Sequence, residues 1–403
     1  MPSVSIDHFP GDEQLCAVLG GRGPGRRLSE EDFNALWERA CAHDVDVLLA
    51  AACLRLEDHI PADASRQVAG RLADAELRDL LRCRELCRIA ANFAAVGVDV
   101  LLLKGAGLAH TVYPAPQLRP SRDIDLFIRR ESLDAAERAL AACGYTRLRE
   151  PDTALASTQS HYGRMDGSGV HHFIDLHWCV ANPRSFADAL SFDEAWRGSI
   201  VVPAIEPVAR TLGLSDALLL ACMHRVAHHQ DAPDLLWLWD IHLLAGSLTA
   251  DGWAAFLRRA ERARMRAVSL RGLVMARDRF ATCIPADTLE RLGANGQAEP
   301  AARFIGGDLR IVDVVRADLW ATRGLRRRAS LLREHLFPPR EYMRAVYASC
   351  PPALLPIAYV DRIVRGAPGW FRRPAADHDP RQPDRGLMRR AREAVRTRGR
   401  QDR

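Results

Sequence analysis

Three aspartates and one lysine carry the chemistry that can be read from this chain. Asp123 and Asp125 stand two apart in Arg119-Pro120-Ser121-Arg122-Asp123-Ile124-Asp125-Leu126-Phe127-Ile128. The alternation after the Pro-Ser turn predicts a strand. Residues two apart on a strand share a face, so both carboxylates point one way and Ile124, Leu126 and Ile128 point the other, into a core. Side-by-side carboxylates repel unless a cation sits between them. Their oxygens suit Mg2+, which keeps waters and takes further ligands from substrate phosphates. A solvated strand face is the alternative, and the Asp-x-Asp spacing alone does not separate the two. Asp175 follows in a second strand-like run, Gly169-Val170-His171-His172-Phe173-Ile174-Asp175-Leu176-His177-Trp178. It shares a face with Phe173 and His177, opposite Ile174 and Leu176. An acid in so apolar a strand needs a partner, which an arginine or a backbone amide would also satisfy.

Of the 56 basic residues, Lys104 is the single lysine. Arginine serves everywhere else, and the two are not interchangeable at a tight site, although chance survival of one lysine is the plainer alternative. Lys104 closes the apolar run Val98-Asp99-Val100-Leu101-Leu102-Leu103 and precedes Gly105-Ala106-Gly107. This reads as a buried strand entering a glycine turn and then a helix, a junction suited to phosphate.

Taken in order, strand, Leu103-Lys104-Gly105, Arg122-Asp123-Ile124-Asp125-Leu126 and Ile174-Asp175-Leu176-His177-Trp178 resemble the nucleotidyltransferase superfamily with a DNA polymerase β-like core. The Lys-Gly form looks like the branch that includes abortive-infection toxin transferases. It is more similar still to a family of uncharacterised bacterial nucleotidyltransferases. The core likeness covers about residues 95–180, and weaker likeness reaches the segment near 336–343. The Gly-Ser turn of the larger superfamily is absent, so Lys104 and the amides near Gly105 to Gly107 would take the phosphate contact.

The resemblance implies two Mg2+ ions, or Mn2+ in their place, held by Asp123, Asp125 and Asp175. It implies a nucleoside triphosphate donor whose phosphates meet Lys104, Gly105, Gly107 and Arg122. Asp175 would join the ion at the acceptor hydroxyl or take that hydroxyl's proton. Arg119 and Arg122 either contact phosphate or pair with the acids. The implied reaction attaches a nucleoside monophosphate to an acceptor hydroxyl and releases pyrophosphate. A small molecule, sugar, peptide or protein is favoured as acceptor over tRNA. The rivals are a toxin-like transferase acting on tRNA and a non-catalytic nucleotide-binding scaffold.

The expected fold is α+β: a polymerase-β-like core, a small mixed sheet with helices, flanked by N- and C-terminal helical segments. The expected divisions are a helical cap (1–95), the core (96–204), a helical domain (205–375) and a basic tail (376–403). The cap begins at Ser29-Glu30-Glu31-Asp32, a helix start with acids in its first turn. Residues 150–168 read as a polar loop, and 205–345 read as wholly helical apart from breaks near 285 and 293–300. The tail from Arg381 to Arg403 holds nine arginines against three acids; it could touch nucleic acid or an anionic membrane, and a solvated terminus is the simpler reading. Met1 to Glu13 does not read as a signal peptide. No apolar run spans a bilayer, and ten scattered cysteines without C-x-x-C suggest reduced thiols. A cytoplasmic enzyme is expected; oligomeric state is left open.

Two further features stand in the helical part. His224, His228 and His229 offer an i, i+4 pair, but without the Glu of a H-E-x-x-H motif they read as packing or hydrogen-bonding histidines. Asp240 interrupts Leu236-Trp237-Leu238-Trp239-Asp240-Ile241. It would bond the nucleotide's sugar or base, or pair with an arginine. The tryptophans read as core rather than as a base-stacking platform.

Overall fold

The structure is a computed structural model. It describes residues 12–371 except 24–26, 57–58, 149–157, 182, 207–208, 295, 308, 323, 341–342, 345–346 and 348–349. The basic tail lies outside the described residues.

Four helices come first: α1 (Asp12–Leu19), α2 (Glu30–Ala42), α3 (Asp46–Leu54) and α4 (Ala64–Ala95). α2 starts where the sequence places it, with the Ser29 hydroxyl accepting from the Asp32 amide at 3.1 Å, a capping contact. Between α2 and α3 the chain turns through Asp44 at a φ of 54°.

The core follows as β1 (Val100–Leu102), α5 (Lys104–Ala109), β2 (Ile124–Ile128), α6 (Leu133–Ala142), β3 (Thr146–Arg147), β4 (Gln159–Met165), β5 (His171–His177), α7 (Arg184–Ala187), α8 (Phe192–Arg197), β6 (Ile200–Val202) and β7 (Ala209–Thr211). The seven strands form one mixed sheet in the order β3-β4-β5-β2-β1-β7-β6. β2 runs parallel to β5, and β1 parallel to β7; the other neighbours are antiparallel. The helical part then runs through α9 (Leu214–His229), α10 (Leu235–Ser247), α11 (Ala250–Ala263), α12 (Arg266–Phe280), α13 (Ala286–Gly293), α14 (Ile311–Ala321) and α15 (Leu325–Leu336) to a last helix, Leu355–Trp370. No helix among the described residues is long and apolar enough to cross a membrane.

Strand alternation divides the apolar side chains between two cores. Leu102, Ile124, Leu126, Ile128, Ile174 and Leu176 pack on one face of the sheet beneath Leu86, Ile89 and Phe93 of α4 and Ala136, Ala139 and Leu140 of α6. Leu101, Leu103 and Phe127 join the core shared with α1–α3 and α9–α12. Each fully buried Leu or Phe contributes roughly 1.5–3 kcal/mol. A buried carboxylate pins α4 to the sheet: Glu85 accepts from Tyr145 Oη at 2.6 Å and from Arg164 Nη2 at 2.8 Å, and also pairs with Arg88.

Two expectations need correction. Residues 150–168 are not all loop, because β4 occupies Gln159–Met165 and pairs with β5 along its whole length. Gln159 and His161 line a cavity while Ser160 and Tyr162 are buried, so a strand facing a polar cavity looks like a loop in sequence. Nor is 205–345 wholly helical. β7 adds three residues to the sheet from beyond position 204, a strand too short to show a period and formed by pairing with β1.

Candidate active site

The acid face of the sheet is the one that the helical part covers incompletely. Parallel pairing places Asp125 of β2 directly beside Asp175 of β5, with His177 two residues further along the same face. Ligand atoms of Asp125, Asp175 and His177 lie within 4.8 Å of one another, a spacing that fits a metal ion. Asp123 precedes β2 and is half-buried beside them. Lys104 reaches in from the end of β1, its Nζ 2.6 Å from Asp125 Oδ1. His177 Nε2 lies 2.8 Å from the same oxygen, and His161 Nδ1 of β4 lies 2.6 Å from Asp175 Oδ1.

The electrostatics follow from this crowding. Burial drives the Asp123 carboxyl up, and the charges of Asp125 and Asp175 push it further; Lys104 and Arg119 only partly offset them. Burial acts on Asp125 in the same sense, but Lys104 and His177 outweigh it and hold that carboxyl well below the ordinary range. The Lys104 ammonium resists burial because Asp125, Asp123 and Asp175 surround it, and its pKa is raised. One strongly ionised acid and one reluctant one therefore share a single cation.

Local backbone geometry explains the residues at the β1–α5 junction. Lys104 itself has a φ of 47°, a left-handed conformation that L-residues other than Gly seldom adopt and that costs about 1–2 kcal/mol. A Cβ on Gly105 would sit 3.1 Å from Ser121 Oγ and 3.3 Å from Arg119 Nη1. Gly105 lines the cavity. A Cβ on Gly107 would lie 2.1 Å from Thr211 Oγ1, so this glycine permits the close approach of α5 to β7.

The remaining sequence candidates lie around the acids in different ways. Arg119 is buried and makes a two-pronged pair with Asp240, Nε to Oδ1 and Nη2 to Oδ2, each at 2.7 Å. Tyr113 Oη donates to the same Asp240 Oδ1 at 2.7 Å. Of the two roles foreseen for Asp240, the structure places it in the arginine pair. Arg122 stands exposed at the cavity mouth, paired with Asp44 at 2.7 Å.

The three acids, Lys104, His161, Arg119, Arg122 and Asp240 open on one cavity of about 800 Å3, and His177 is fully buried outside its lining. Lys104, Gly105, Asp123, Asp125 and Asp175 line its floor; Gln159, His161 and Phe173 line the strand side; His224, His228, His229 and Trp237 line the helical side. The volume falls within the range of small-molecule sites.

With this geometry established, comparison with known proteins is decisive. The profile of a family described as uncharacterised nucleotidyltransferases matches residues 29–281. The chain belongs to this family. The match takes in α2–α4, the whole sheet and α9–α12, and α1 lies outside it. No curated protein matches the chain. Membership of a nucleotidyltransferase family implies a nucleoside triphosphate substrate, and the Asp125-Asp175-His177 cluster could hold a divalent metal.

Two contributors, His177 and His161, were not among the expected site residues, and Trp237 and the α9 histidines, expected to serve packing, line the cavity. His177 belongs with Asp125 and Asp175 in the group that fits a metal; the available signal was its position two residues after Asp175, on the same strand face. His161 bonds Asp175 from a strand that sequence did not reveal. Trp237 and the α9 histidines face the cavity, whereas helical periodicity gave no sign that this side of α9 and α10 was open.

Proposed function

We propose that the protein transfers a nucleoside monophosphate from a nucleoside triphosphate to an acceptor hydroxyl, with release of pyrophosphate. The observation that carries this reading is the convergence of Asp125 and Asp175 on one sheet face, with Asp123 beside them and the sole lysine bonded to Asp125.

The donor set suits a hard divalent cation. Asp125 and Asp175 would hold it, with Asp123 completing the acidic set and His177 adding a nitrogen that Mn2+ accepts more readily than Mg2+ does. Bound there, the metal supplies Lewis-acid stabilisation of phosphoryl charge and lowers the pKa of the acceptor hydroxyl. Lys104 neutralises charge as it develops on the departing β- and γ-phosphates. Asp175 takes the acceptor proton or orients that hydroxyl, and His161, bonded to Asp175 Oδ1, holds the carboxylate in place. Arg122 at the mouth meets incoming phosphate in competition with Asp44. These are positioning and charge-stabilising roles, which carry most of phosphoryl-transfer catalysis. A cavity of this size accommodates a nucleotide beside a small molecule, a sugar or one residue of a peptide or protein acceptor.

The test is calorimetric titration of ATP, CTP, GTP and UTP with Mg2+ into wild type and into Asp123→Asn/Asp125→Asn. Magnesium-dependent binding that the double variant loses supports the reading. Transfer of an α-phosphate label to a candidate acceptor then establishes the reaction. Failure of all four nucleotides to bind would reject the reading.

A further inference from the structure

The transfer chemistry leaves one wall of the cavity without a role. α9 ends in His224, His228 and His229, and α10 sets Trp237 against them. The ring centroids of His229 and Trp237 lie 3.9 Å apart with planes 31° from parallel. His224 meets His229 at 4.7 Å and Trp237 at 5.8 Å. His224 Nε2 and His229 Nε2 are 3.1 Å apart, so one ring donates, the other accepts, and the two neutral imidazoles hold opposite tautomers.

These rings differ from ordinary core. A core position would be filled by Leu or Phe, whereas His224 Nδ1 and His229 Nδ1 are buried without a hydrogen-bond partner among the described residues, which disfavours a purely packing role. Nor does the wall attract anions. Burial, then the positive charge of Lys104, keeps all three histidines neutral, with His229 pushed down to about 4. α9 packs against α5, the helix that begins at Lys104, so the wall lies on the Lys104 side of the site. The cavity thus holds a cation and acids at its floor and neutral, flat, polar-edged rings beside them.

We infer that His224, His229 and Trp237 form the subsite for the heterocyclic base of the donor nucleotide. This rests on the donor proposed above. With phosphates at Lys104 and the base on this wall, the opposite strand side, Phe173 and His161 next to Asp175, is left to the acceptor. A base stacks on aromatic rings whatever its identity.

The experiment compares Mg·NTP with Mg·tripolyphosphate, which has the phosphates and no base, on the full chain. Trp237→Ala and His229→Leu should each weaken the preferred NTP by about tenfold or more while leaving tripolyphosphate binding unchanged. Trp237→Phe, which keeps a ring, should stay within about threefold of wild type. Saturation-transfer NMR on the unmodified protein needs no variant and should show the strongest transfer to the base protons. Weak transfer to the base in a bound NTP, or an unchanged NTP affinity in Trp237→Ala and His229→Leu, would overturn the inference and leave the nucleotidyl-transfer reading standing. Binding of neither NTP nor tripolyphosphate by wild type would remove both.

Discussion

At the scale of single residues, the site turns on how one ammonium is shared among three carboxylates. Lys104→Ala should lower kcat/KM by about 10^2–10^3, the usual effect of losing one group that stabilises developing charge. Lys104→Arg should not restore it, because a forked guanidinium does not fit the single oxygen that the Lys104 ammonium contacts. Steady-state kinetics on both variants checks this, and an arginine variant within about threefold of wild type would contradict it. The Asp123 carboxyl, pushed up to about 7 by burial and its acidic neighbours, gives a pH prediction. A carboxyl whose folded pKa is raised contributes stability that is full below its ordinary value and is lost as pH rises through the folded value. The metal-free protein should therefore lose thermal stability as pH rises from about 4 to about 7, and Mg2+ should restore more of it at the upper end than at the lower. Thermal melts across that range, with Asp123→Asn as the flattened control, measure the effect.

At the scale of elements, the positions of the acids depend on how α4, α5 and the strands seat. Glu85 shows the opposite sign to Asp123. Burial would raise it, but the hydrogen bonds from Arg88, Tyr145 and Arg164 outweigh burial and lower it from 4.5 to about 2. The stability it contributes is present above its ordinary value and is lost as pH falls through the folded value. Glu85→Gln should cost about 3 kcal/mol near neutral pH and move acid unfolding to higher pH, as followed by circular dichroism. Gly107→Ala, which drives a Cβ into Thr211, should cost about 1–3 kcal/mol through overpacking, measured by chemical denaturation. These elements differ in how plainly the sequence announced them. β2 and β5 were legible because Ile124, Leu126, Ile174 and Leu176 alternate with acids, and α2 was legible through its Ser29 cap. β4 was hidden because its cavity-facing residues are polar, and β7 because three residues carry no period. The place of Asp175 beside Asp125 was equally invisible, since strand pairing is a tertiary fact. His177 joined the acids only once that register was known.

At the scale of the whole molecule, Arg119, Asp240 and Tyr113 tie the sheet half to the helical half. The pair is buried on both sides, with side chains 7% and 6% exposed, and it anchors the segment leading into β2 to the middle of α10. Breaking one partner should cost about 3–5 kcal/mol, because a buried charge is left alone, whereas replacing both by apolar groups should recover most of that. A denaturation cycle on Arg119→Met, Asp240→Leu and the double variant tests this. Since α10 also carries Trp237, the single variants should loosen nucleotide binding together with stability.

The single lysine has a consequence of a different kind. Apart from its histidines, every other basic side chain in this protein is a guanidinium, which acylating reagents and acyl phosphates leave largely untouched. The chain therefore confines its side-chain amine chemistry to one position, and that amine sits within hydrogen-bond reach of Asp125 on the cavity floor. Acetylation, so often spread across a surface and without effect, has here one lysine to act on. Modifying it would remove the positive charge that the three carboxylates share.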